Sequence, residues 1–305
     1  VQLVIEEIIL NLATSLKKEY QIDNLCLAGG VALNCVANGK VIKNEIFKNV
    51  WIQPAAGDAG GSLGATLAYW YMTLNNNRVA DKNSMNGSYL GPEYSKQDIK
   101  SFLINNDYIF NELEENDMLD LIANHLSEGE IVGWFQGKME FGPRSLGNRS
   151  IIADPRPSEM QKKVNLKIKF REGFRPFAPS ILYERLNDFF ELNCESPYML
   201  LVSKIKEKFR VKVDEDHLFG IEKLNQKRSL LPAITHLDYS SRIQTVHKDT
   251  NPKFYDLIKR FEKITKYPIL LNTSFNIRGE PIVNSLGDAY KCFMGTNLDY
   301  LVIGN

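Results

Sequence analysis

The sequence predicts an α/β protein with about two domains. Two observations carry this. Short apolar runs alternate with helical periodicity along the chain, which is the pattern of strands feeding helices. A polar, turn-rich stretch then divides 305 residues, a length that suits about two cores.

The elements follow in order. Residues 1–20 carry apolar Val4, Ile5, Ile8, Ile9, Leu12 and Leu16 at helical spacing and read as an amphipathic helix with a buried face. Asn24 to Ala28 is a short strand broken by Gly29-Gly30, and Val31 to Lys43 is a helix. Val50 to Gln53 is a strand stopped by Pro54; the loop AAGDAGG and a helix over Ser62 to Leu74 follow. Residues 76–95 read as the linker, which sets the domains at 1–75 and 96–305. In the second domain, 96–127 predicts two short helices and 130–136 a strand. Residues 160–169 predict a helix, 179–182 an extended segment, and 204–230 a charged surface excursion. Helices are expected at 252–265 and 286–295, with strands at 268–271 and 300–304. The chain lacks an initiator Met and opens on a helix with a buried-looking stripe, so a preceding part is expected.

Formal charge is zero, with 37 basic and 37 acidic residues, which argues against wholesale binding to DNA or membranes. The four cysteines are scattered without a C-x-x-C pair, as expected for reduced thiols in a cytoplasm rather than a disulfide framework or zinc site. No apolar run is long enough to span a bilayer. Against this neutral background, Lys138 to Ser180 holds ten bases and four acids, an excess of six. Its arginines sit among Gly, Pro and Phe rather than in a loose basic tail. Arg offers a planar fork to phosphate or carboxylate, so the block suggests a shaped pocket for a small phosphorylated ligand.

Each candidate site has a plainer reading beside it. LAGGVALN, from Leu27, is strand, paired Gly, helix; Gly29 and Gly30 would let a phosphate approach free N–H groups, or simply make a tight turn. Asp58 in GDAGGSLGA is either a metal ligand or a helix N-cap, and none of the four histidines forms an i, i+4 pair. Arg144 and Arg149 lie in Gly-punctuated loops, where they hold an anion or pair with surface acids. Lys169 and Arg171 would share a face if the backbone is extended there, with Lys138 and Arg175 nearby. NTSFN sets Thr273, Ser274 and Asn276 at a strand end, where open sheets bind ligands; it also reads as a polar turn.

GGVALNCVANGK, PAAGDAGGSLGA, FGPRSLGNRSIIADPR, KFREGFRPFAPS and NTSFNIRGEPIV, in that order, resemble the NodU/CmcH-type O-carbamoyltransferases. The resemblance spans nearly the whole chain. It implies the C-terminal remnant of a TsaD-like, actin-fold domain at 1–75 and a YrdC-like mixed-sheet α/β domain at 96–305. It also implies a two-step chemistry. The YrdC-like module uses carbamoyl phosphate, ATP and Mg²⁺ to make carbamoyl-adenylate. The actin-like module, with bound Fe²⁺, passes the carbamoyl group to a hydroxyl of a small-molecule or oligosaccharide acceptor. Carried over by residue, Gly29, Gly30, Val31 and Asn34 match the adenylate-binding turn and Asp58 the iron aspartate. Lys169 and Arg171 match the K-x-R pair, and Thr273, Ser274 and Asn276 the T-S-x-N loop. Arg144 and Arg149 would line the carbamoyl-phosphate and ATP pocket, helped by Lys138 and Arg175.

One departure stands out. The family's H-x-x-x-H iron ligands are not in this sequence, so the transfer step is expected to need an upstream segment. The alternative class is a non-catalytic nucleotide- or RNA-binding module, which the interleaved Phe141, Phe170, Phe174 and Phe177 keep open. Nucleic acid is the less expected partner.

Overall fold

The computed structural model describes residues 1–79, 84–213, 217–224 and 226–304. The first segment runs α1 (Gln2–Tyr20), β1 (Asn24–Leu27), α2 (Cys35–Lys43), β2 (Asn49–Ile52) and α3 (Gly60–Ala68). β1 and β2 pair in parallel, Leu25 opposite Val50. The expected helix from Val31 is divided: a 3₁₀ turn over Gly30–Leu33 ends at Asn34, whose side chain accepts the Ala37 N–H and caps α2. α1 meets α2 through a Glu6–Lys40 ion pair. Its apolar stripe, expected to be buried, is instead uncovered in this chain: Val4, Ile8 and Leu12 are all more than half exposed.

The rest of the chain contributes α4 (Lys96–Asn105), α5 (Glu115–Ser127), β3 (Val132–Phe135), β4 (Arg149–Ala153), α6 (Met160–Lys167), β5 (Ala178–Leu182), α7 (Leu186–Phe189), β6 (Leu201–Lys204), α8 (Ile221–Leu224), β7 (Ser240–Val246), α9 (Pro252–Thr265), β8 (Ile269–Ser274), α10 (Leu286–Met294) and β9 (Tyr300–Ile303). Among the described residues the strands form one seven-stranded mixed sheet, ordered β6-β7-β5-β8-β4-β3-β9. β3 runs parallel to β9 and β5 to β7; the other pairs are antiparallel. Successive residues of a strand face opposite sides. Ile151, Ile181 and Leu271 therefore join the core under α6 and α10, while Ile152, Leu182 and Leu270 join the core under α5 and α9. Both faces are buried, so every residue of β4 and β5 is buried, polar Arg149, Ser150 and Ser180 included, and neither strand alternates.

The first segment docks on this sheet. Asn38 of α2 donates to the Leu200 carbonyl. Gly39 lies so close to β6 that a Cβ there would stand 2.6 Å from the Val202 carbonyl oxygen. Of the expected linker, residues 80–83 lie outside the described residues. Residues 84–95 are bound to the second domain: Phe141 N–H donates to Ser88 O at 2.7 Å and Gly91 N–H to Met139 O at 2.9 Å. Of the expected surface excursion, 214–216 and 225 lie outside the described residues, and its end turns inward, with Ser229 buried. Among the described residues no helix is long and apolar enough to cross a membrane.

Candidate functional site: an arginine cluster beside a buried lysine

Lys169 follows α6 and is 3% exposed. Its Nζ donates to Ser274 O at 2.8 Å, Ser274 Oγ at 3.2 Å, Asn276 O at 2.8 Å and Asn276 Oδ1 at 2.5 Å. Two motifs 105 residues apart thus meet through one ammonium group, because Ser274 is the last residue of the central strand β8 and Lys169 follows α6. Burial, and then the Arg171 charge, pull the Lys169 ammonium down to about 7, with Cys292 acting in the opposite sense. An anion placed beside it would restore the charged form. Thr273 is half-buried on β8, opposite Ile151.

Arg171 donates through Nε to Asn165 Oδ1 at 2.7 Å, and its guanidinium lies 5.0 Å from the centre of the Phe177 ring. Asn165 is fully buried and donates to the carbonyls of Gly173 and Arg175, so one side chain shapes this loop and aims Arg171. The backbone between Lys169 and Arg171 is not extended, contrary to expectation. Phe170 takes the left-handed region, φ 48°, and a turn rather than strand alternation brings the two cations together. Burial, with Arg175 next, lowers the Arg171 guanidinium to about 10.

Arg144 sits in the loop between β3 and β4 and makes no hydrogen bond or ion pair among the described residues; its Nε is buried without a partner. Arg242, on β7, is in the same state. Burial and then the Arg144 charge push the Arg242 guanidinium down to about 10, with Arg171 adding to the effect. The Arg144 guanidinium is lowered by burial while Cys35, at the first turn of α2, acts on it in the opposite sense. Three cations therefore converge beside α2; Glu172 acts on Arg171, while among the described residues no carboxylate is paired with Arg144 or Arg242. Arg242 lies outside the basic block that drew attention in the sequence. The signal that could have found it is an arginine at an alternating position in the β-branched run SSRIQTV.

Other candidates fall elsewhere. Arg149 is fully buried, and its Nη1 and Nη2 donate to the carbonyls of Gln136, Gly137, Asn148 and Pro92. Its guanidinium also covers the Phe135 ring at 3.6 Å. With those donors committed to backbone, the terminal nitrogens of Arg149 hold the fold, while its Nε is buried without a partner. Lys138 is exposed at the rim of a separate cavity of about 1080 Å³ between α4 and β9, away from Lys169. Arg175 pairs with Glu172 at 3.2 Å and lines a neighbouring 360 Å³ pocket. The larger cavities do not coincide with the arginine cluster, and charge rather than volume singles out the site.

In the first segment, Gly29 has φ 94°, and its N–H donates to Ala56 O at 2.8 Å, so the GGVALN and AAGDAGG loops lie side by side. Gly30 has open space around it and Val31 is exposed. Asn34 is occupied as the α2 cap and by Gln2 of α1. Asp58 is exposed and caps nothing, since Ala59 holds the N-cap position of α3. Among the described residues the one cluster with metal-ligand spacing is His125, Glu128 and Glu130, which does not include Asp58. A lone carboxylate does not make an iron site, so these residues by themselves do not fit Fe²⁺. The two halves of the candidate surface do abut: a Cβ on Gly142, two residues before Arg144, would meet Pro54 O at 3.0 Å.

The carbamoyltransferase C-terminus model matches residues 123–305 and the carbamoyltransferase N-terminus model residues 1–67. The chain belongs to the carbamoyltransferase family. Uncharacterized protein sll1178 of Synechocystis is 53% identical over 100% of this chain and 50% of its own length. Nodulation protein NolO of Bradyrhizobium diazoefficiens is 39% identical over 99% of this chain and 52% of its own. The 3'-hydroxymethylcephem-O-carbamoyltransferase of Amycolatopsis lactamdurans is 28% identical over 92% of this chain and 48% of its own. The chain thus spans about half the length of these curated relatives.

Proposed function

We propose that the sheet domain of this carbamoyltransferase makes carbamoyl-adenylate from carbamoyl phosphate and ATP. The observation that carries the reading is the pair Arg144 and Arg242, unpaired among the described residues, with Arg171 next to them and Lys169 held by the T-S-x-N loop. Carbamoyl phosphate and ATP are polyanions, and a site of fixed, unpaired cations suits them. Water first cleaves carbamoyl phosphate to carbamate and inorganic phosphate; a carbamate oxygen then bonds to the α-phosphorus of ATP as the bond to pyrophosphate breaks. No protein nucleophile is required. Arg171, oriented by Asn165 and Phe177, is the clamp on phosphate oxygens. Arg144 and Arg242 balance the charge of the departing pyrophosphate, and Lys169, its donors taken by Ser274 and Asn276, holds that loop in place and adds its charge to the site. Mg²⁺ would enter bound to ATP.

Transfer to a hydroxyl acceptor, small molecule or oligosaccharide, is the second half of the proposal. It belongs to the actin-like module of which 1–75 is read as the last part, and Fe²⁺ belongs to that larger setting. A cytoplasmic location suits the free thiols and the two soluble phosphorylated substrates. The test is conversion of ATP to AMP and pyrophosphate by the 305-residue chain, dependent on carbamoyl phosphate and Mg²⁺. The whole chain is used because α2 is seated on β6. Pyrophosphate release that ignores carbamoyl phosphate, or none from folded protein, would overturn the assignment.

A further inference from the structure

We propose that Glu140 is the positioning residue that presents Arg144 to the anion, acting through the shape of the loop between β3 and β4. The proposal rests on the reading of the arginine cluster as a phosphate site. Glu140 is 5% exposed. Its Oε1 accepts three backbone N–H groups, from Leu146 at 2.6 Å, Asn148 at 2.9 Å and Arg149 at 3.3 Å. The chain therefore wraps around one oxygen, with Arg144 at the far side of the wrap. This loop would not hold its shape unaided. Gly142 and Gly147 have φ of 136° and 107°, conformations that glycine reaches readily but does not prefer over others. The returning end is also fixed from outside: the Leu146 carbonyl accepts from Tyr89 Oη at 2.8 Å and Gln244 Nε2 at 2.7 Å.

Arg144 has no hydrogen bond or ion pair of its own among the described residues, so nothing but the loop decides where its guanidinium points. Burial raises the Glu140 carboxyl while the amides of Asn148 and Leu146 pull it down; in either protonation state Oε1 remains the acceptor. The second oxygen is buried without a partner. A glutamine would set an N–H₂ there with nothing to receive it, and would weaken the hold on the three amides.

The test is a double-mutant cycle read by calorimetry with inorganic pyrophosphate. E140Q keeps side-chain volume and one acceptor oxygen; E140D keeps the charge and withdraws by one methylene, giving a second variant if the first does not fold. We expect E140Q and Arg144→Ala each to weaken pyrophosphate about tenfold, the loss of one charge-assisted contact. The double variant should bind no more weakly than Arg144→Ala alone, since Glu140 acts through Arg144. A purely structural Glu140 would lower the melting temperature while its affinity penalty added to that of Arg144→Ala, and this would overturn the proposal. Wild-type affinity in E140Q alone would also overturn it and leave the phosphate site standing. Wild-type affinity in Arg144→Ala would overturn both.

Discussion

Replacing Arg242 with methionine should make the protein more stable and less able to bind its ligand. The guanidinium is held near 10 by burial and by Arg144, well below its ordinary value. That depression corresponds to roughly 3 kcal/mol against the charged form. The sign is fixed by the direction of the shift. A cation whose folded pKa is lowered costs stability at every pH below that pKa, so the penalty is fully present at pH 7 and fades only above about 10. Methionine keeps most of the packed stem and removes the charge, while Arg144 and Arg171 remain. We expect a gain of about 1–2 kcal/mol, a rise of a few degrees in Tm. Pyrophosphate at a hundredfold excess over Kd should stabilise the wild type by about 2.7 kcal/mol and the variant far less. Thermal melts with and without pyrophosphate measure both effects. A variant that melts lower than wild type and still responds to pyrophosphate would refute the view of Arg242 as an uncompensated ligand-site cation.

Three further outcomes are expected. Because an anion favours the Lys169 ammonium, whose free pKa is about 7, pyrophosphate affinity should be full below pH 7 and decline as pH rises through it; in Lys169→Met that part of the slope disappears, as isothermal titrations across pH 6–9 would show. Arg171→Lys keeps the charge but loses the bond to Asn165 and the stacking on Phe177, so pyrophosphate binding should weaken by about 1–3 kcal/mol, and unchanged affinity would return Arg171 to a surface role. Gly39→Ala forces a Cβ against the Val202 carbonyl and should cost about 2 kcal/mol in denaturant unfolding, with α2 displaced from β6.

Much of the α/β pattern was legible because strand and helix periods differ and because glycine and proline punctuate the turns. α9 and α10 were readable almost to the residue, having strong one-sided stripes and Asn or Ser caps. β7 was not. Its Ser240, Ser241, Gln244 and Thr245 are all buried, so the apolar alternation that marks a strand is missing. Those polar groups find partners only in the folded state: Gln244 with Ser180, Asn272 and the Leu146 carbonyl, and Ser241 with the Ile234 carbonyl. β4 was hidden differently, as a run buried on both faces just after a glycine-rich loop. In the site, the pairing of Lys169 with Ser274 and Asn276 was anticipated from motif resemblance, not from spacing, since 105 residues separate the partners.

The fates of Arg144 and Arg149 show why sequence could not settle the site and why the structure supports one reading of it. Five residues apart, Arg144 in the loop before β4 and Arg149 at the first position of β4, both are arginines in a glycine-rich stretch of sequence. Arg149 meets backbone carbonyls at 2.6 to 3.2 Å with both terminal nitrogens and so is nearly complete within the protein. Arg144 meets none. A buried cation without a partner is costly, and the chain has as many acids as bases with which to relieve it. At Arg144 and Arg242 it does not: among the described residues neither is paired with a carboxylate, while Glu172 serves Arg175 and acts on Arg171, and Asp154 pairs with Arg156. A cation already neutralised by an acid must exchange partners to bind phosphate, and gains little. One held rigid and unpaired gains the full interaction when the anion arrives, with no reorganisation. On the proposed reading, the unmet charge of Arg144 and Arg242 is half of an ion pair whose other half is the phosphorylated substrate.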